Sequence, residues 1–236
     1  MRPLLVMAPD GAAVDWRRTA LRLVMYLAGV VVLALGMVVQ TESGLGVASL
    51  TCFAQVIADI TGITLGTMIT ATYCAYIVAQ ALILRRQFQP RILLEVFFSA
   101  VIGIFTDFFM AVMPFHPVGL AAQVATMVAS LALLAFGVSL VVNMGVVPNA
   151  PDGLVQVVSE RLRRRFGDVK VVFDTSHVVV ALVLSWTVLH TIDAFGITTI
   201  IAALFLGQFI NVMNRLFAER FQRAAFGSAR GAVAAE

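Results

Sequence analysis

Charged side chains are scarce in this sequence: Asp, Glu, Lys and Arg make up 12% of 236 residues, while 61% are hydrophobic. A soluble domain carries about twice that share of charge, and a mean hydropathy of +0.98 places the chain among integral membrane proteins. Cysteine is nearly absent. Cys52 and Cys74 stand in apolar or membrane-proximal sequence, which excludes a disulfide framework or a cysteine metal knuckle. The histidines, His116, His177 and His190, are scattered. There is no nucleophile elbow, no His-Glu-x-x-His and no Walker loop, so neither an enzyme, a cofactor nor a metal is expected. The net charge of +3 and pI near 9.3 do not indicate nucleic acid, because basic residues beside apolar spans follow from membrane topology.

What the chain does have is long apolar runs. Six are long enough to cross a bilayer, at about 23–39, 64–84, 92–113, 120–142, 171–189 and 197–213. With the N-terminus in the cytosol, the inner segments hold all 16 Lys and Arg and the outer loops hold none. That split predicts both termini inside. The expected divisions are a cytosolic tail over 1–18, membrane units over 19–113 and 120–214, and a cytosolic tail over 215–236.

Two breaks interrupt the runs, and each leads into a short apolar helix, at about 50–60 and 150–160. At an offset of 101 residues, Gly44 matches Gly145, Thr51 matches Asp152, Gln55 matches Gln156 and Asp59 matches Glu160. Polar residues at i, i+4 and i+8 share one helix face. Ala34-Leu35-Gly36 also matches Ala135-Phe136-Gly137, and the segment from Gly103 to Asp107 matches that from Gly207 to Asn211 at an offset of 104. The chain therefore reads as a duplication. Units of three spans enter the membrane from opposite sides, so the expected fold is all-α, polytopic, with six transmembrane helices in two inverted repeats, each with a short broken or re-entrant helix.

The short helices cannot span about 30 Å of hydrocarbon. If they re-enter from opposite faces, their N-termini converge at the centre; if they lie flat, Asp152 is a cap and the arginine run at 161–165 a headgroup anchor. The re-entrant reading makes Thr51, Gln55, Asp152, Gln156 and Asn211 substrate-binding candidates. Asp107, Asp174 and His177 are candidates for coupling to an ion or proton, since ionisable groups at membrane depth are costly. For Asp107 the competing role is a hydrogen-bonding strut between helices. Glu95 and Glu42 are expected to be solvated.

The segments Ala150-Pro151-Asp152-Gly153-Leu154, Phe166-Gly167-Asp168-Val169-Lys170 and Gly207-Gln208-Phe209-Ile210-Asn211, together with the Gly-rich break and short helix, resemble the YczE/YyaS/YitT-type bacterial integral membrane proteins. The first half departs from that pattern, with Thr51 where an acid is usual. The resemblance implies a multi-pass protein of the bacterial inner membrane. The functional expectation is a small-solute secondary transporter or channel-like permease whose partners are membrane lipid and an unidentified solute or ion, with a homo-oligomer left open. The alternative is a non-transporting sensor or accessory protein that docks a cytosolic component through its Arg-rich loop.

Overall fold

The computed structural model describes residues 15–190 and 195–226. The expected tails at 1–14 and 227–236, and positions 191–194 of the last outer loop, lie outside the described residues. The elements are α1 (Trp16–Glu42), α2 (Ser49–Thr61), α3 (Leu65–Leu84), α4 (Leu93–Val112), α5 (Leu120–Met144), α6 (Ala150–Leu162), α7 (Phe166–Leu184) and α8 (Ile197–Phe226). No strand occurs among the described residues. Five helical segments are long and apolar enough to cross a membrane: Trp16–Glu42, Leu65–Gln87, Leu93–Val112, Leu120–Met144 and Phe166–Leu189. The sixth expected span falls on the first part of the 30-residue α8. Large apolar side chains such as Leu82, Phe97, Ile104 and Val171 stand exposed on the outside of the bundle, as a membrane-embedded protein requires.

The centre is the α1–α5 pair. α4 packs on α1 and α8 on α5, while α2 and α6 each pack against both α3 and α7. Small residues bring the central helices together. A Cβ on Gly36 would stand 2.9 Å from the backbone nitrogen of Leu134, and one on Gly137 would stand 2.8 Å from that of Leu33. Such close approach is the membrane form of helix packing, in which van der Waals contact replaces the hydrophobic drive.

The helix pairs α3–α4 and α7–α8 differ. α3 and α4 touch through Gly66 and Gly103, where a Cβ on either would overlap the other's carbonyl oxygen. Around Gly167 and Gly207, the matching positions of α7 and α8, a Cβ would meet nothing within 4 Å. α8 also runs on to Phe226, past the expected start of the tail at 215. Its end is docked: Arg18 donates from Nη1 to the Phe226 carbonyl at 3.0 Å, and Ala225 is buried.

Candidate functional site

α5 ends at Gly145, whose φ of +56° is a left-handed conformation natural to glycine. The chain then passes through Pro148 and an extended Asn149 into α6, with proline in its first turn. This irregular backbone is buried, which requires its carbonyls to find partners within the protein. α1 supplies them. Arg22, 1% exposed, donates to the carbonyl oxygens of Met144 at 2.6 Å and Gly145 at 2.8 Å, and the Tyr26 hydroxyl donates to Val147 at 3.2 Å. A cation at the C-terminal end of α5 also meets the helix dipole favourably. Composition marks Arg22 as one more inner-side arginine, whereas in the fold it braces the break.

α2 and α6 share a pattern of burial. Val47, Thr51 and Cys52 at the start of α2 and Val147, Ala150 and Pro151 at the start of α6 are buried, while Thr61, Gly62, Leu162 and Arg163 at their other ends are exposed. Beside the break before α6 lies a cavity of about 500 Å³, walled by Leu33, Val141, Pro148 and Asn149 and carrying the side chains of Asp152 and Gln156. A mostly apolar hollow with a few convergent polar groups is the usual form of a small-molecule site.

Of the expected substrate residues, the fold brings Asp152 and Gln156 to this cavity. Thr51 is buried in α2, and Gln55 donates to Asp59 at 2.7 Å, as Gln156 does to Glu160 at 3.0 Å. Thr51 and Gln55 do not line the cavity. Asn211 is exposed on the surface of α8. One turn further along, Asn214 faces inward, accepting from Ser139 at 2.6 Å and from Asn143 at 2.9 Å.

The expected ion-coupling residues fall in two places. Asp107 sits at the start of α3, where it accepts from the Gly66 N–H at 2.7 Å and from the hydroxyls of Thr64 at 2.6 Å and Thr67 at 3.3 Å. It thus caps a neighbouring helix and satisfies its free N–H groups. Asp174 and His177 lie near Asp152. Lys170 bridges Asp152 at 2.9 Å and Asp174 at 3.3 Å, and His177 Nε2 lies 2.6 Å from the Tyr76 hydroxyl.

The environments of three residues escape a reading of the sequence. Lys170 looks like loop charge, though its spacing of four from Asp174 on an apolar helix was a usable sign. Glu95 was expected to reach solvent, but it is 2% exposed and accepts from Gln80 Nε2 at 2.9 Å. Burial follows because α6 packs over the C-terminal end of α3 and the N-terminal end of α4, with Gly153 allowing the approach. Glu42 is likewise enclosed, with its side chain 8% exposed and its Oε2 2.9 Å from His116 Nδ1, because the outer turn folds back over it. No sequence signal marks these two.

No curated protein and no solved structure gave a match. The model of a family of unknown function, DUF6198, matches residues 20–215, from the start of α1 well into α8. The chain, with its helical core and its cavity beside the α5–α6 break, belongs to the DUF6198 family of unknown function.

Proposed function

We propose that the protein is a small-solute secondary transporter or channel-like permease of the bacterial inner membrane, built from two inverted repeats with both termini in the cytosol, and that it is not an enzyme. The observation that carries this reading is the cavity of about 500 Å³ at the buried start of α6, holding Asp152 and Gln156. Transporters of inverted-repeat design place their sites where a broken helix meets the interface between halves. The contacts support the duplication: Gly36 against Leu134 and Gly137 against Leu33 are one contact repeated under the 101-residue offset. The motif resemblance to the YczE/YyaS/YitT-type proteins agrees with the membrane location.

Asp152 at the start of a helix suits a small anionic or zwitterionic solute: the carboxylate offers a partner to a cationic group, while the positive end of the helix dipole suits an anionic one. The unequal helix pairs fit one state of an alternating-access cycle. In this reading the α3–α4 contact at Gly66 and Gly103 would close the outer side, and the absence of a matching contact at Gly167 and Gly207 among the described residues would leave the inner side free to open. The test is reconstitution into proteoliposomes and measurement of uptake across a panel of amino acids, betaines and organic anions. Uptake of a solute that disappears in Gln156→Leu supports the permease. A complete panel without any movement, from protein shown to be folded, removes it in favour of an accessory role.

A further inference from the structure

We propose that Glu95 is a proton-exchange site between the cavity and the inner side, and it rests on the permease reading only for its purpose in transport. The carboxylate is 2% exposed, and its Oε1 has no hydrogen-bond partner among the described residues. Oε2 accepts from Gln80 Nε2 at 2.9 Å, and the same Gln80 nitrogen donates to the carbonyl of Ala150, the first residue of α6, at 3.2 Å. An amide carries no charge to balance a carboxylate. A buried carboxyl so placed is costly as an anion and is a functional candidate at membrane depth.

Space for the proton's carriers lies on both sides. Glu95 lines a hollow of about 10 Å³ with Tyr26, Ser99 and Asn149, which is room for one water at most. Asn149 and Pro148 also wall the large cavity, so the two hollows adjoin at the break. Beyond Gln80 a polar hollow of about 110 Å³ is lined by Gln80, Gln87, Gln89, Gln156 and Glu160. A proton from water adds to Oε1 to form the carboxylic acid, and leaves to water on the return step. Glu95 is held one residue-width from α6: a Cβ on Gly153 would stand 3.2 Å from Oε1. Its charge therefore acts on the turn that carries Asp152.

Among the described residues, the following ionisable groups on the helices packed against α4 have partners of their own. Arg22 of α1 donates to Met144 and Gly145, and Tyr26 to Val147. On α3, Tyr76 is bonded to His177; on α6, Asp152 pairs with Lys170 and Glu160 accepts from Gln156. Tyr26 alone of these lines the Glu95 hollow.

The experiment is infrared difference spectroscopy of the full-length protein in lipid, stepped between acidic and alkaline buffer, with deuterium exchange to follow the carboxylic acid band. The expected result is a buried carboxylic acid band that titrates in the wild type, is lost in Glu95→Gln and persists in Asp107→Asn. Glu95→Asp is the second variant, and a displaced band there identifies the site even if Glu95→Gln does not fold. A band unchanged in Glu95→Gln, or its absence from the wild type at every pH, overturns the proposal. Because the readout needs no substrate, a titrating Glu95 in a protein that moves no solute sinks the permease reading and leaves the proton site standing.

Discussion

Tyr76 and His177 are 101 residues apart in the sequence, and the Tyr76 hydroxyl lies 2.6 Å from His177 Nε2. His177 Nδ1 is 2.7 Å from the carbonyl of Phe173 one turn earlier, so the proton belongs on Nδ1 and Nε2 accepts from tyrosine. Under the proposed duplication each residue is the other's counterpart. Equivalent residues touch each other only at a two-fold axis, so this bond marks where the axis would pass. Tyr76→Phe should cost on the order of 1 kcal/mol, as for one interhelical hydrogen bond in a membrane protein. A double-mutant cycle with His177→Leu, read by thermal unfolding in detergent, should return a coupling of that size; no coupling would mean the two side chains act independently.

The α1–α5 crossing should tolerate no added bulk. Gly36→Leu and Gly137→Leu should each destabilise by about 1–3 kcal/mol or prevent assembly, because the side chain meets backbone that cannot yield. Gly167→Ala, facing open space, should leave the melting temperature unchanged. Equal melting of all three variants contradicts the close crossing.

Asp107 acts as a cap in the structure, which makes its variants informative. Asp107→Asn keeps an acceptor for the Gly66 N–H and should be mild, whereas Asp107→Leu removes three acceptor contacts and should cost about 1–2 kcal/mol. The pair is scored by membrane abundance and thermal stability. A severe loss in Asp107→Asn would show that its charge matters.

Lys170 joins two carboxylates, and all three side chains are about a third exposed. Screening keeps the stability cost of Lys170→Met to about 1 kcal/mol or less. Function should suffer far more, since Asp152 at the cavity loses its partner. Uptake in Lys170→Met and in Asp152→Asn should fall at least tenfold with protein levels maintained. Wild-type uptake in both would separate the ion pair from transport.

Topology is testable by cysteine chemistry. Pro114→Cys, in the exposed turn between α4 and α5, should react with an impermeant maleimide from outside intact cells. Arg164→Cys, beyond the exposed end of α6, should react only after the membrane is opened. The reverse pattern turns the protein over.

Membrane embedding, the helical class and the positions of most elements could be read from the chain, because they depend on quantities that are local in sequence. Hydropathy over some twenty residues decides what a bilayer accepts, and glycine and proline mark where a helix must stop. The two short helices were legible for the same reason. The ends of α1 and α8 were not, since packing of Arg18 against the Phe226 carbonyl extends helix where composition alone suggests a tail.

The site depended on tertiary structure. Gln55 and Gln156 are equivalent by spacing, yet only Gln156 reaches the large cavity. Asn211 holds the place matching Asp107, but α8 turns it to the surface and presents Asn214 instead. Glu95 and Lys170, near the ends of their helices, seemed destined for water until α6 packed over one and Asp152 met the other. The physical reason is common to all four. Hydropathy measures transfer of a segment from water to lipid, whereas the environment of a polar side chain is set by which other helix stands opposite it. That choice is made by close approach at residues such as Gly36, Gly137 and Gly153, far away in the chain from the groups they bring together.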